Sequence, residues 1–297
     1  MEFLQPRCLD EALEARAANP GATVIAGGTD VMVEVNFDRL RPEALLDLGR
    51  VEALRGWTLH DGRLRIGASV TFTEIIKELG ALAPALAIAA RTVGSPQIRN
   101  RGTLGGNLGS SSPAGDALPP LLACNGSVEV ASIRGSREIP IEDFFTGVKK
   151  NALEKDEVIT AATISAADGP QQFAKIGSRN AMVIAVASFA LVLSAGMRSV
   201  RTGLGSVAPT PVRSVEAELF LEAELNAGRY WEEGRPIPDP VVDRFAQLVA
   251  LGASPIDDVR GTAAYRSHGL TVLARRTLGW AWLELQYSEA AFHDKRP

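Results

Sequence analysis

Apolar positions recur at helical spacing from Leu9 to Ala18, where Leu9, Ala12, Leu13 and Ala17 share a face and Asn19-Pro20-Gly21 supplies a stop. The pattern predicts a short amphipathic helix. Thr23-Val24-Ile25-Ala26 then changes to the run of a buried strand and ends directly in Gly27-Gly28-Thr29-Asp30, which places the glycine pair in a tight turn. Short strands are predicted at Ala44 to Leu48, Trp57 to Leu59 and Leu64 to Ile66, punctuated by Gly49, Gly56 and Asp61-Gly62. That stretch reads as mixed α+β and not as βαβ. Helices are predicted over Thr73 to Leu79 and Pro84 to Thr92, the second apolar on most faces, and regular structure resumes after Pro119-Pro120 at Leu121 to Ala123 and Ser127 to Ala131. Small, polar and Pro/Gly residues at Ala166-Ala167-Asp168-Gly169-Pro170 mark a domain boundary. Beyond it the pattern predicts strands at Ala185 to Leu193 and Thr202 to Val207, then helices at Val212 to Leu225, Pro240 to Leu251 and Gly261 to about Leu285.

Composition narrows the chemistry. The 297 residues are 46% hydrophobic, enough for two domains or one large one with real cores. The formal net charge of −4 gives no field to attract nucleic acid. Two cysteines, Cys8 and Cys124, exclude any four-cysteine iron–sulfur or zinc site within the chain, and both read as inert small hydrophobes. Three histidines are scattered, His60 in a hairpin turn and His268 on the last helix, so redox or hydrolytic chemistry needs an organic cofactor, a partner chain or a carboxylate site. The 18 uncharged residues from Asn180 to Met197 fall short of the ~20 needed to span a bilayer and read as buried core. No secretory signal is visible at the start, so a cytoplasmic location is expected. The four tryptophans are expected in packing roles, and the excess of 25 arginines over six lysines suits a chain with protein interfaces.

The densest glycine region runs from Arg99 to Asp116, where five of the 14 residues from Gly102 to Gly115 are glycine. It is read as a loop. Adjacent glycines let backbone N–H groups point into a common space, which is how a chain cradles phosphate. Two such segments occur, at Gly27-Gly28 and Gly105-Gly106, and together they could clamp a pyrophosphate from both sides. Thr103, Asn107, Ser110, Ser111, Ser112 and Asp116 add hydroxyl, amide and carboxylate groups that core packing does not explain. Arg99 and Arg101 flank the second segment within reach of phosphate or partner. No P-loop motif is present. Gly203-Leu204-Gly205-Ser206-Val207-Ala208 matches the dinucleotide fingerprint, but Pro209 and Pro211 follow where that fingerprint must open a helix, so it is a decoy.

Ala26-Gly27-Gly28-Thr29-Asp30, Gln97-Ile98-Arg99-Asn100, Gly102-Thr103-Leu104-Gly105-Gly106-Asn107 and Asp116 resemble the FAD-binding (medium) subunit of molybdenum-containing hydroxylases, most of all the flavin subunit of bacterial xanthine dehydrogenases, with relatives in carbon monoxide dehydrogenase. Phe144-Phe145-Thr146-Gly147, Phe173-Ala174-Lys175, Asp258-Val259-Arg260 and Tyr265-Arg266 extend the likeness over nearly the whole chain. The resemblance implies an α+β fold: a vanillyl-alcohol-oxidase (PCMH) type FAD-binding domain over 1–168, built of subdomains at about 1–55 and 56–168, then a smaller domain over 169–297 with a three-stranded sheet and helices. By position it implies that Ala26, Gly27, Gly28, Thr29 and Asp30 form one pyrophosphate loop and Thr103, Gly105, Gly106 and Asn107 the other. Asp116 would accept from the adenosine ribose, and Lys175 would stand near the flavin.

The function so implied is an electron-transfer subunit holding noncovalent FAD, since no His lies in either glycine segment. Electrons would come from a 2Fe-2S small subunit and leave for a terminal acceptor. The substrate would be hydroxylated at a molybdenum cofactor on a large subunit, in a dimer of heterotrimers. Two other readings stay open. A stand-alone FAD oxidoreductase would need a large substrate cap, whereas 297 − 170 = 127 residues follow Pro170. An assembly subunit that has lost flavin would have no use for the polar groups around Gly105-Gly106.

Overall fold

The computed structural model describes residues 1–293. β1 (Glu2–Leu4), α1 (Leu9–Ala18), β2 (Thr23–Ile25), α2 (Val31–Asn36) and β3 (Ala44–Asp47) make a small first lobe. Its strands are all parallel, in the order β1-β3-β2. Neighbours β2 and β3 are joined through α2, a single βαβ connection that precedes the run of strands from Ala44 to Ile66 and that periodicity does not predict. The sequence hid it because α2 has six residues and buries none of them, so it carries no apolar stripe. Ala12 of α1 faces inward onto Leu46, Leu48, Val51 and Leu54.

A 3₁₀ turn at Glu52–Leu54 leads into the second lobe, which comprises β4 (Trp57–His60), β5 (Arg63–Gly67), α3 (Phe72–Glu78), α4 (Pro84–Thr92), α5 (Pro96–Arg99), α6 (Leu104–Ser110), α7 (Leu118–Ala123), β6 (Ser127–Ser132), β7 (Gly135–Pro140), α8 (Ile141–Phe144), β8 (Phe145–Gly147), β9 (Lys150–Asn151) and β10 (Val158–Ser165). Five of these strands form an antiparallel sheet in the order β4-β5-β10-β6-β7. His60 sits at the hairpin turn, where Asp61 and Gly62 take φ of 47° and 71°, the handedness that matches strand twist. A reciprocal capping box between Thr71 and Glu74 starts α3.

The glycine-rich segment departs from its expected loop form, because Leu104–Ser110 is helical. Glycine lowers helix propensity by about 1 kcal/mol against alanine, so three glycines in seven residues argue against this helix locally. Tertiary contacts hold it: Leu104 and Leu108, one turn apart, are fully buried in the main core, and the Thr103 hydroxyl caps the first turn. α7 begins earlier than expected and takes Pro119 and Pro120 into its opening turn, where proline's missing N–H has no partner to lose.

The last part comprises β11 (Gln171–Ile176), β12 (Ala187–Ser194), β13 (Ser199–Gly205), α9 (Val215–Ala227), α10 (Tyr230–Glu233), α11 (Asp239–Leu251) and α12 (Ala263–His293), so the end of the stretch expected to run to 297 lies outside the described residues. Its antiparallel sheet has the order β11-β12-β13. α4 and α7 of the second lobe contact it on one side and α9 and α12 on the other, so central β12 is buried at every position, as its uncharged sequence requires. The decoy Gly203-Leu204-Gly205 lies in β13. A Cβ on Gly203 would sit 2.0 Å from the Pro119 carbonyl oxygen and one on Gly205 2.8 Å from the Pro119 ring, so these glycines let a strand lie against α7. Trp231 and Trp282 pack edge to face at 5.7 Å, whereas Trp57 and Trp280 stay 38% and 48% exposed. Among the described residues no helix is long and apolar enough to cross a membrane.

Cys124 follows α7 in the main core, where burial pushes its thiol up to about 12, while Cys8 is exposed. Native protein treated with iodoacetamide at about pH 8 should therefore take one adduct, at Cys8, because only thiolate reacts. Peptide mapping that finds Cys124 alkylated before unfolding would contradict the packing described.

Candidate functional site

A cleft of about 420 Å³ is walled by Ala26, Gly27, Gly28, Thr29 and Asp30 from the turn after β2 and by Thr103, Gly105, Gly106 and Asn107 from the start of α6. The two segments that the sequence singled out, 73 residues apart at Gly28 and Arg101 (101 − 28), thus share one space. They also touch. A Cβ on Gly27 would lie 1.9 Å from the Arg101 carbonyl oxygen and 3.0 Å from the Gly102 Cα, so backbone packs directly on backbone. Gly105 is similarly committed: its Cβ would fall 2.6 Å from that of Ala68, whose carbonyl accepts the Gly105 N–H at 2.8 Å. Gly28 holds φ of +76°, which favours glycine for conformational reasons. Gly106 differs from all three, because a Cβ there would meet only the Thr103 hydroxyl, at 3.0 Å, and otherwise open space.

Donor availability separates the two walls. Among the described residues, the N–H groups of Gly27, Gly28, Thr29 and Asp30 have no acceptor in the chain. On α6 the corresponding groups are taken, Leu104 by the Val70 carbonyl, Gly105 by Ala68, Gly106 by the Thr103 hydroxyl and Asn107 by the Thr103 carbonyl. The α6 wall therefore contributes side chains: the Thr103 hydroxyl proton, and the Asn107 amide, whose Oδ1 is buried without a partner. The charged residues in the lining are Arg16, Asp30 and Glu157. Asp30 accepts from the Ser110 hydroxyl at 2.7 Å and ties the walls together, and Arg137 engages both Glu157 oxygens. An anion in this cleft is thus met by successive backbone N–H dipoles, the arrangement that binds phosphate in nests.

Asp116 and Lys175 stand apart from that lining and contact each other. Lys175 Nζ donates to Asp116 Oδ2 at 2.6 Å and to the carbonyls of Thr92 and Val183 at 2.9 and 3.1 Å, so all three ammonium protons are engaged. Asp116 Oδ2 also accepts from the Thr92 hydroxyl, while its Oδ1 is buried and unpartnered. Burial, the largest influence, raises the Asp116 pKa against the opposing pull of Lys175. Neither flanking arginine lines the cleft. Arg99 caps the carbonyls of Arg91, Val93 and Gly94 beyond the end of α4, and Arg101 offers only its backbone to Gly27. Arg16, Leu153 and Val158 line the cleft without having been singled out. Arg16 was legible in principle, because it lies four residues after Ala12 and so on the inward face of α1.

The cleft has the features an anionic ligand needs, unclaimed N–H groups on one wall and open floor at Gly106, and beside them the buried Asn107 Oδ1 is left to accept from a donor group of a ligand. The FAD binding domain in molybdopterin dehydrogenase matches residues 1–165, and the CO dehydrogenase flavoprotein C-terminal domain matches 172–281. The xanthine dehydrogenase FAD-binding subunit of Escherichia coli O157:H7 is 31% identical over 286 residues, 92% of this chain and 93% of that protein. Carbon monoxide dehydrogenase from Hydrogenophaga pseudoflava, in a solved structure lacking the Mo-pyranopterin moiety, aligns at 27% identity with a TM-score of 0.85 over 96% of this chain and 98% of that one. Quinoline 2-oxidoreductase from Pseudomonas putida 86 aligns at 25% identity with a TM-score of 0.87, over 97% and 98%.

The buried Lys175–Asp116 pair joins β11 to the loop after α6, and removing one partner of such a pair typically costs about 3–5 kcal/mol. Lys175→Met and Asp116→Ala should each lower stability in urea unfolding by amounts in that range. The double variant should lose far less than their sum, since no charge is then stranded; additive losses would show that the two groups do not act as a pair.

Proposed function

Because the chain belongs to the FAD-binding medium subunits of molybdenum hydroxylases, a family of oxidoreductase subunits, we propose that it holds one FAD noncovalently in the cleft between its first two lobes. The observation that carries the reading is the run of four unclaimed N–H groups at Gly27, Gly28, Thr29 and Asp30. They would bind the diphosphate from one side. The Thr103 hydroxyl and Asn107 amide would bind it from the other, with the bare face of Gly106 leaving the room and Ala26 carrying β2 into the turn. Gly27 and Gly105 serve the cofactor by letting the walls approach. Since Asp116 and Lys175 touch, they cannot occupy opposite ends of a dinucleotide; both are assigned to the flavin end, where Asp116 Oδ1 can accept and Lys175 supplies positive charge from behind it. Among the described residues lining the cleft there is no His, Cys or Tyr to which a flavin could be joined, in keeping with a noncovalent cofactor.

When bound, FAD would supply one- and two-electron redox chemistry, and the partner chains would supply the electrons. This chain's own residues bind and orient. The expected partners are a 2Fe-2S small subunit and a molybdenum large subunit, arranged as a dimer of heterotrimers. A stand-alone oxidoreductase is disfavoured because, among the described residues, those lining the cleft all lie at or before Ile159, and the only residue after Pro170 assigned to the site, Lys175, brings charge and no substrate cap.

Acid precipitation of the purified protein should release all the yellow colour into the supernatant; flavin left in the pellet would mean a covalent bond. Gly106→Val should purify folded but colourless, because a branched side chain fills the floor of the cleft. A flavin-replete Gly106→Val protein would place the cofactor elsewhere.

Tested without partners, the chain should reduce artificial acceptors with NADH slowly at most and should not oxidise purines or aldehydes. Substrate turnover by this chain in the absence of molybdenum and iron would favour the stand-alone enzyme.

A further inference from the structure

Arg16 reaches the cleft from α1 and is the only cationic side chain among the described residues of its lining. Its position is built in. Helical spacing puts it on the same face as fully buried Ala12, so the guanidinium is directed inward while Glu11 and Glu14 take the solvent side. Nη1 is fastened to the Ala22 carbonyl at 2.6 Å, which fixes the fork at the start of β2. Nε is buried and has no acceptor.

A buried donor on a charged group left unpaired costs more than the ~1–3 kcal/mol of a neutral one, so an acceptor belongs there. The protein does not provide it. Glu157, the nearby wall carboxylate, is held at both oxygens by Arg137 and accepts the Glu154 N–H as well. Asp156 is engaged at both oxygens by Arg134 and acts on Arg16 only through space. Val24, Leu48, Leu54 and Val158 line the same cleft with apolar side chains and belong with Ala12 of α1 to the core of the first lobe. Burial accordingly lowers the Arg16 pKa, with Asp156 opposing.

Arg16 is tied to Ala22, just before β2, whereas the free turn donors begin at Gly27, past its end, a separation of up to roughly 16 Å for five residues at about 3.3 Å each, so the guanidinium and the turn meet different parts of a ligand. A ligand that occupies both places must carry an anion at Gly27–Asp30 and, some distance away, a flat apolar body with in-plane acceptor atoms. We infer that Arg16 is the adenine-recognition residue of this site, its Nε–H donating to a ring nitrogen of the base held between the Val24 and Val158 walls. This rests on the FAD reading above and deepens it: the chain would select a dinucleotide over a flavin mononucleotide through this contact.

The test uses the full chain stripped of flavin, titrated with FAD, FMN and ADP as separate probes. Arg16→Met removes the donor; Arg16→Lys keeps the charge but lacks both the Nε–H and the planar fork, and carries the test if the methionine variant fails to fold. Both should bind FAD and ADP about tenfold more weakly than the parent chain, the loss expected for one hydrogen bond from a charged donor, with FMN affinity unchanged within twofold. FAD affinity equal to the parent's in a folded variant overturns the assignment, as does an equal loss for FMN, which would put Arg16 at the ring. If the parent chain binds none of the three probes, the FAD reading itself has failed; if it binds FAD and the Arg16 variants match it, only this inference has.

Discussion

The approach of Gly27 to the Arg101 carbonyl, with room for no side-chain atom between them, is the contact on which the rest of the site depends. It sets the first lobe against the second at one point and leaves the space beside that point as a cleft. The Ser110 hydroxyl donating to Asp30 is a second tie between the lobes, and within the second lobe the Thr71–Thr103 bridge and the Gly105 N–H bonded to Ala68 hold α6 in place for both. A helix with three glycines in seven residues would not persist alone, and here it is held by Leu104 and Leu108 on its buried side.

Glycine therefore does three different jobs in segments that look alike in sequence. At Gly27, Gly105, Gly203 and Gly205 it permits packing against neighbouring chain, at Gly28 it permits a positive φ, and at Gly106 it leaves space open. The distinction matters chemically, because only the last of these makes room for a ligand. Donors follow the same division. α6 has its first N–H groups satisfied internally, whereas the turn after β2 has four that are free, so the two walls act on an anion by different means.

The third part of the fold is tied to the second by charge as well as by packing. Lys175 reaches from β11 to Asp116 and Thr92, and Glu142 of α8 is shared by Arg201 and Arg213 from the last part of the chain. Arg213 in turn pairs with buried Glu218, which also accepts from Thr202. Such a network fixes orientation between packed bodies more than it adds stability, since desolvation offsets much of the attraction. Its consequence is that the loop carrying Asp116 is held in register with the C-terminal sheet.

Much of this was legible in the chain. Helices at Leu9 to Ala18 and Pro84 to Thr92, the buried strand at β12 and the long last helix all follow from periodicity, because a full turn or several alternations repeat the signal. The nine residues Ala26 to Asp30, Thr103, Gly105, Gly106 and Asn107 that meet in the cleft were marked by composition: adjacent glycines with small polar neighbours have few other uses. What the sequence could not settle is anything decided by a contact between distant residues. Whether glycines 105 and 106 stand in a loop or a helix was decided by the burial of Leu104 and Leu108, and the βαβ connection by the pairing of β2 with β3. The partner of Asp116, the free Nε of Arg16 and the difference between Gly105 and Gly106 depend on which atoms approach within a few ångströms. Periodicity records which face of an element is buried, while only the assembled backbone determines what each buried face meets.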